Sequence, residues 1–322
     1  MAGNWSPLER PLIEIEEQIA ELERLTERRG IDKSAEIAAL KRRHAELTER
    51  IFANLSPWDK TLMARHPRRP YTLDYIPLIF NEFIELHGDR RCGDDPAIVA
   101  GLGRLDGRTV ALVGHQKGRD IKERQFRNFG SARPEGYRKA ARVMRLAEKL
   151  QMPVISFVDT PAAESRLEAE ERGIANAIAE NLELMSVLQT PIVVVIIGEG
   201  GSGGAIGIAV GDHVMMLQHA IYSVIPPESC AVILEAFGRD PSRGPEAAEA
   251  LRLSAQQTLD LGAVDEIIPE PLGGAHKDPV AAAQSVKEAI TRALQRLSAM
   301  PPEELLTARY RKLRGFDHFR EA

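Results

Sequence analysis

Cysteines and aromatic residues are scarce in this 322-residue chain. Its two cysteines, Cys92 and Cys230, are too few for a disulfide framework or a four-cysteine zinc cluster, so we expect reduced structural thiols in a cytoplasmic protein. Aromatic residues make up only 5% of the chain, which argues against a surface on which nucleic-acid bases stack.

An excess of basic charge and a long hydrophobic run are missing as well. The formal net charge is −5, from 42 lysines and arginines against 47 acidic residues, so we expect no nucleic acid as a partner. The longest apolar run, Ile192 to Ile197, is far shorter than the ~20 residues that a membrane span needs. The N-terminus also lacks the apolar segment of a secretion signal. We therefore expect a globular protein without a membrane partner.

The first part of the chain has two amphipathic stretches. Their apolar residues recur at helical spacing, and an Arg-Arg-Gly sequence at 28–30 separates the two stretches. This pattern predicts an antiparallel helical hairpin, which is too small to be stable alone and must pack on the main body or on another chain. The two apolar stripes consist of Leu12, Ile15, Ile19 and Leu22, and of Ile37, Leu40, Leu47 and Ile51.

From Val110 onward, short apolar runs alternate with helical patterns, which is typical of an α/β core with parallel strands. Residues 57–108 are rich in Pro, Arg and Gly and are interpreted as a connecting segment with a short helix at 74–86, and the last twenty residues as a charged peripheral tail. The strands are predicted at 110–113, 154–158, 192–197, 214–217 and 221–224, and the helices at 136–150, 170–188, 203–210, 246–262 and 279–298.

A cluster of glycines follows the apolar run at 192–197. Five of the seven residues from Gly198 to Gly204 are glycines, and a helix of small residues follows them. Glycines at this position leave backbone N–H groups exposed at a helix N-terminus, where they suit an oxyanion or a phosphate.

Three motifs can be read in this cluster. The dinucleotide fingerprint Gly-x-Gly-x-x-Gly fits, but Gln218 and His219 stand where an acidic residue is expected. A nucleophile elbow around Ser202, followed in order by Asp265 and His276, keeps a serine hydrolase open as an alternative. The Walker loop is excluded because no Gly-Lys-Ser/Thr follows.

Several longer motifs identify a family. They include Arg-Pro-Tyr-Thr-Leu-Asp-Tyr at 69–75, Phe-Ile-Glu-Leu-His-Gly-Asp-Arg at 83–90, Pro-Glu-Gly-Tyr-Arg-Lys-Ala at 134–140, and Pro-Glu-Pro-Leu-Gly-Gly-Ala-His-Lys-Asp-Pro at 269–279. Together with the glycine cluster and the Asp-Thr-Pro sequence at 159–161, these motifs stand in the family's order along nearly the whole chain. The chain therefore resembles the α-subunit family of the bacterial-type acetyl-CoA carboxylase carboxyltransferases.

The resemblance implies an α/β fold of the crotonase-like (ClpP/crotonase) type, a spiral of ββα units with an N-terminal helical hairpin. The expected division of the chain is a hairpin at 1–56, a connecting segment at 57–108, a carboxyltransferase core at 109–300 and a charged tail at 301–322.

The resemblance also implies an activity and its partners. Family members transfer a carboxyl group from carboxybiotin, held on a separate biotin carboxyl carrier protein, to acetyl-CoA, which gives malonyl-CoA for fatty acid biosynthesis. The expected partners are a β subunit with a zinc ribbon, the carrier protein and biotin carboxylase, in an α2β2 assembly. We expect no metal in this chain, since its two cysteines cannot supply the ribbon.

The site residues follow from the resemblance and from the chemistry. Carboxyl transfer develops negative charge on oxygens, which preorganised N–H donors stabilise. We expect the backbone N–H groups of Gly203 and Gly204 to form an oxyanion hole for the biotin ureido group. The expected biotin contacts are Gly200, Gly201, Asp159, Thr160 and Pro161, and the candidate residues for substrate phosphates are Lys117, Arg119 and Arg127.

One segment departs from the family pattern. Residues 162–168 read Ala-Ala-Glu-Ser-Arg-Leu-Glu, where the family usually has Gly-Ala-Tyr-Pro-Gly-Ile-Gly. A loop that relied on glycine conformations cannot be the same loop. This leaves open a divergent paralogue that acts on another acyl-CoA, or a noncatalytic partner of a carboxylase complex.

Overall fold

The structure, a computed structural model, describes residues 7–29 and 32–316, without the side chain of Arg29. The Arg-Arg-Gly break at 28–30 and both ends of the chain thus lie partly outside the described residues. The helices are α1 (Arg10–Arg29), α2 (Ser34–Ala53), α3 (Pro57–Ala64), α4 (Thr72–Ile79), α5 (Ile121–Phe126), α6 (Pro134–Lys149), α7 (Leu167–Glu171), α8 (Ile174–Val187), α9 (Ser202–Ile206), α10 (Pro227–Ile233), α11 (Gly244–Leu251), α12 (Ala255–Asp260), α13 (Pro279–Leu297) and α14 (Pro302–Arg314).

An eight-stranded mixed sheet lies at the centre, in the order β1-β2-β3-β4-β5-β6-β8 with β7 beside β5. The first three strands pair antiparallel, whereas β3 and all later strands pair parallel. The strands are β1 (Glu82–Glu85), β2 (Ile98–Leu105), β3 (Arg108–His115), β4 (Val154–Thr160), β5 (Ile192–Gly201), β6 (His213–Leu217), β7 (Ile221–Ser223) and β8 (Glu266–Ile268).

Strand β5 positions the candidate site. Every residue of it is buried, and its apolar first part pairs with β6 over Val193–Ile196. Its glycine-rich end leaves β6 and pairs with β7 over Glu199–Gly201. This change of neighbour gives the sheet a step, and α9 begins directly after it.

The five strands predicted from apolar runs are present, but four of the predicted helices differ from the structure. The helix expected at 170–188 is divided into α7 and α8 by Gly173, which adopts a left-handed conformation. The helix expected at 74–86 ends at Ile79, and an antiparallel edge strand begins at Glu82. The helix expected at 203–210 begins at Ser202 and ends at Ile206, directly before Gly207, a poor helix former. The helix expected at 246–262 is divided at Arg252, which adopts a left-handed conformation.

The segments expected as a connection and a tail also contain regular structure. Residues 57–108 contribute α3, α4 and two strands of the sheet. The region after 301 forms α14, whose Arg309 is completely buried. The many charged residues of this segment suggested a peripheral tail, but the charged side chain of Arg309 is buried inside the protein.

The helical hairpin is present as α1 and α2. Leu12 and Phe52 are buried in a cluster with Met63 of α3, so the base of the hairpin packs on the main body. Among the described residues, no helix has the combination of length and apolar character needed to cross a bilayer.

Candidate active site

The glycine cluster lies at the junction of β5 and α9. The glycines are required because other segments approach them closely: a methyl group on Gly201 would collide with the Pro161 carbonyl, and one on Gly204 would lie 2.5 Å from the backbone of Ala162 and Ala163. Gly203 differs, since the nearest atom to such a methyl group is 3.6 Å away, on Ile178. Gly203 is partly exposed and Gly204 is buried.

The first turn of α9 offers unpaired backbone donors. The first N–H groups of a helix have no acceptor within the helix, and no side chain caps α9. The carbonyl of Gly204 is held by the Tyr137 hydroxyl, which donates to it at 3.2 Å. The turn is therefore fixed in place from the α6 side, with its donors at the start of α9.

Ser202 is the residue of the turn with an unusual backbone conformation. Its φ of 51° lies in the left-handed region, whereas none of the five glycines around it has a positive φ. A left-handed conformation costs roughly 1–2 kcal/mol in a residue with a side chain. Ser202 therefore stores backbone strain at the junction of β5 and α9.

The structure does not gather the residues that a serine hydrolase would need. His276 contacts Glu9 through Nε2, and its Nδ1 is buried without a hydrogen-bond partner in the described chain. Asp265 pairs with Lys312 and accepts the N–H of Val214. Neither group contacts Ser202, so the triad reading loses its geometric basis.

The Asp-Thr-Pro sequence lies beside the glycine cluster. Strand β4 pairs with β5 so that Thr160 is opposite Gly200, and the Thr160 hydroxyl donates to the Ala162 carbonyl at 2.7 Å. A methyl group on Gly200 would lie 2.7 Å from the Tyr222 ring, and one on Gly201 would collide with the Pro161 carbonyl oxygen. The structure thus brings 159–161 and 200–204 together, as predicted, while the biotin contacts of these residues stay a prediction.

A buried charge network supports the end of β5. The ammonium nitrogen of Lys117 lies 2.7 Å from Asp159 Oδ1 and 2.7 Å from Glu199 Oε2. Arg65 also reaches Glu199, at 2.6 Å, and pairs with Glu228. Asp159 Oδ1 accepts the N–H of Glu199 at 2.9 Å, whereas its Oδ2 is buried without a partner in the described residues.

The environment of the network shifts its pKa values in different directions. Burial alone would lower the pKa of Lys117, but the charges of Asp159 and Glu199 outweigh it and raise that pKa above its ordinary value. Burial would raise the pKa of Glu199, but Lys117 and Arg65 keep it low. Burial does raise the pKa of Asp159, in spite of Lys117.

A cavity of about 170 Å³ opens over this network. Nearby His115 is completely buried, and its ring contacts the backbone of Gly204. Burial and the charge of Lys117 lower the pKa of His115 to about 3, so its ring is neutral near pH 7. The cavity is lined by Arg65, Tyr71, Lys117, Arg124, Phe129, Pro161 and Glu199.

The three cations suggested for substrate phosphates have protein partners. Lys117 belongs to the buried network. Arg119 pairs with Asp74 and stacks over Tyr71. Arg127 donates to the carbonyl of Pro96 at 2.8 Å and contacts Glu123. Their role toward phosphates stays a prediction.

The departing loop at 162–168 is well ordered by its own residues. Glu164 accepts hydrogen bonds from the backbone N–H groups of Ser165 and Arg166, from the Arg166 guanidinium and from the Asn128 amide. The Arg166 hydrogen bond contributes most to lowering the pKa of Glu164 to about 2. No residue of the loop has a positive φ. The Glu164 carboxylate thus organises this loop.

Sequence reasoning missed Arg65, Glu199 and Tyr137 as parts of the site. Arg65 and Glu199 are 134 residues apart, and neither belongs to a spacing motif that would connect them. The only available signal for Glu199 was its place within the glycine cluster, where an acidic residue needs a buried cation beside it.

Comparisons with known proteins agree with this geometry. The model of the family described as acetyl co-enzyme A carboxylase carboxyltransferase-like matches residues 5–317. The acetyl-coenzyme A carboxylase carboxyl transferase subunit alpha of Methylococcus capsulatus is 51% identical over 313 residues, which are 97% of each chain. The protein of the same name from Thioalkalivibrio sulfidiphilus is 51% identical over 321 residues, 100% of each chain.

Solved structures show the same fold at low sequence identity. A transcarboxylase 12S structure with methylmalonyl-coenzyme A bound gives a TM-score of 0.58 at 18% identity, over 72% of this chain and 44% of that one. A Pseudomonas malonate decarboxylase hetero-tetramer in complex with coenzyme A gives 0.59 at 16% identity, over 75% of this chain and 92% of that one. The predicted crotonase-like α/β fold is confirmed.

Proposed function

Because this chain belongs to the acetyl co-enzyme A carboxylase carboxyltransferase family, we propose that it is the carboxyltransferase alpha subunit of an acetyl-CoA carboxylase. In this role it transfers a carboxyl group from carboxybiotin to acetyl-CoA and forms malonyl-CoA for fatty acid biosynthesis. The observation that carries the proposal is the match to relatives of that name, half identical along the whole chain.

The turn at β5–α9 supplies the chemistry that this reaction requires. Carboxyl transfer develops negative charge on oxygen, and N–H donors already in place stabilise such charge without reorganisation. We assign that role to the backbone N–H groups of Gly203 and Gly204, at the uncapped start of α9. Tyr137 and the loop at 162–163 hold the turn from either side.

The residues around the turn fit the ureido ring of biotin. Gly203 is partly exposed, a methyl group on it would make an ordinary van der Waals contact with Ile178, and the buried Asp159 Oδ2 has no partner among the described residues. When bound, carboxybiotin supplies the carboxyl group. Gly203 and Gly204 would bind the ureido oxygen, and Gly200, Gly201 and residues 159–161 would shape the pocket.

The proposal includes partners and a compartment. We infer that the chain works in the cytoplasm with a β subunit that carries a zinc ribbon, with a biotin carboxyl carrier protein and with biotin carboxylase, in an α2β2 carboxyltransferase. Relatives named as subunits of an acetyl-coenzyme A carboxylase support a multi-subunit assembly.

Replacing one donor tests the assignment. The Gly203→Pro variant removes the N–H, whereas Gly203→Ala keeps the N–H and places its methyl group in ordinary van der Waals contact with Ile178. In a mixture with the β subunit, biotinylated carrier, biotin carboxylase, ATP, bicarbonate and acetyl-CoA, we expect malonyl-CoA formation to fall ~10²-fold to 10³-fold in Gly203→Pro relative to Gly203→Ala.

Two results would count against the proposal. If both variants fold, as judged by circular dichroism, and turn over equally fast, Gly203 is not an oxyanion donor. If the wild-type chain copurifies with the β subunit but forms no malonyl-CoA, it is a noncatalytic partner of the complex.

A further inference from the structure

An arginine-rich cavity of about 230 Å³ lies on the outer side of α6 and α8. Its volume is several times the roughly 30 Å³ that one water molecule occupies in the liquid. Arg138, Arg142 and Arg145 recur along α6 at helical spacing on the face that is not buried. The segment at 89–91 and Glu180 of α8 complete the lining.

The acidic residues near the cavity are already paired, apart from one. Asp89 accepts three backbone N–H groups on Oδ1, and Arg138 donates to its Oδ2 at 2.8 Å. Asp94 pairs with Lys139 at 2.6 Å. Glu180 has no ion-pair partner within the described residues. The carboxylates of Asp89 and Asp94 are therefore already paired with Arg138 and Lys139.

Four arginines remain without a carboxylate partner in the described chain. Arg90 and Arg142 both donate to the carbonyl oxygen of His87, at 3.0 and 3.2 Å, which holds two guanidinium groups close together. The pKa of Arg142 lies below its ordinary value because of burial and the nearby charge of Arg90. Arg91 and Arg145 are exposed and form no side-chain hydrogen bond in this part of the chain. These four cations lie near the unpaired carboxylate of Glu180 and near Asp94, whose charge partly compensates that of Arg142.

This arrangement suits an anion with several oxygens. Guanidinium groups bind phosphate oxygens through paired N–H donors, and backbone carbonyls already fix the orientation of Arg90 and Arg142. Like charges held together are unfavourable until an anion compensates them. We propose that this cavity is a binding site for the diphosphate group of an organic ligand. The proposal does not depend on carboxyl transfer at the glycine turn.

Binding of inorganic pyrophosphate to the full chain tests the site, by calorimetry at about 0.15 M salt so that surface charges are screened. We expect one pyrophosphate per chain. Arg91→Gln and Arg145→Gln should each weaken binding about tenfold or more, because each loses a charge-assisted contact. Both side chains are exposed, so neither change disturbs the core. The matched control is Arg43→Gln, an exposed arginine of α2 without a side-chain partner in the described chain, which should bind as the wild type does.

Competition distinguishes the two sources of the diphosphate. Stronger displacement of pyrophosphate by coenzyme A than by adenosine diphosphate, with none by pantetheine, identifies the substrate's own phosphates. Equal displacement by adenosine diphosphate identifies a separate nucleotide ligand. The proposal is overturned if pyrophosphate does not saturate, if Arg43→Gln weakens binding as much as the cavity variants, or if neither organic diphosphate competes.

Discussion

The ammonium group of Lys117 lies between the carboxylates of Asp159 and Glu199, and the Lys117 side chain, which is 12% exposed, lines the cavity above them. Its position explains how an acidic residue can stand within a buried glycine-rich strand end. The Asp159 carboxylate also accepts the N–H of Glu199, so the charge network and the backbone of β5 support each other. The backbone path of the glycine turn therefore depends on the pairing of Lys117 with the two carboxylates.

Removing the Lys117 charge should destabilise the protein strongly. In Lys117→Met two buried carboxylates lose their shared cation, and breaking a buried pair typically costs about 3–5 kcal/mol. The matched control is Lys41→Met, whose exposed pair with Glu23 should contribute less than about 1 kcal/mol. Urea unfolding of the two variants measures the difference, and equal free energies of unfolding would show that the network is not structural.

At the residue scale, the sequence predicted the location of the site better than its internal contacts. The glycine cluster and the Asp-Thr-Pro sequence could be placed together, since both follow buried parallel strands. The left-handed Ser202 could not be predicted, because neighbouring glycines adopt that conformation more easily. The pairing of Arg65 with Glu199 depends on the tertiary fold, and no local pattern encodes it.

Among the elements, the helical hairpin is held at its base by a buried polar cluster. Glu9, just before α1, contacts His276 at 2.9 Å and His66 at 3.2 Å, and the two imidazole rings stack with centroids 3.9 Å apart. All three side chains are buried. The cluster joins the hairpin to α3 and to the loop before α13.

Loss of the Glu9 charge should loosen the hairpin without unfolding the core. In Glu9→Gln the buried imidazoles lose a carboxylate acceptor, and we expect amide hydrogen exchange in α1 and α2 to accelerate by about tenfold to a hundredfold, with β4 and β5 unchanged. Exchange followed by mass spectrometry checks this, with the exposed Glu14→Gln as the control. Acceleration throughout the sheet would contradict a local role for the cluster.

The existence of elements was easier to predict than their ends. Apolar runs correctly placed the buried strands, because residues buried on both faces leave a continuous hydrophobic signal. The edge strand β1 has only four residues, of which two are exposed, and therefore resembled the end of a helix. The hairpin's apolar stripes predicted α1 and α2 but could not identify the surface on which they pack.

At the scale of the whole molecule, α14 closes the structure against the start of β5. The buried Arg309 forms a two-point pair with Asp212 at 2.8 Å and donates to the carbonyls of Met185, Leu188 and Thr190. A charged C-terminal segment therefore anchors α8 and the sheet together. The charged composition of this segment suggested a solvated tail, because composition does not show that one of its arginines is buried.

Replacing Arg309 should lower the stability of the entire protein. Arg309→Met leaves a buried carboxylate and three carbonyls without their donor, and we expect a loss of about 3–5 kcal/mol in the free energy of unfolding. The matched control is Arg311→Met, two residues away on the exposed side of the same helix, for which we expect less than about 0.5 kcal/mol. Urea denaturation followed by circular dichroism compares them, and a similar midpoint for both variants would refute the anchoring role.

The contact between Glu9 and His276 has a consequence for how the protein is made, since these residues are 267 positions apart. A ribosome adds about 5–20 residues per second, so the nascent chain waits on the order of ten seconds or more before Glu9 can meet this partner. The polar contact between Glu9 and the loop before α13 thus forms late in synthesis, whereas Leu12 of α1 can pack on Phe52 and Met63 much earlier.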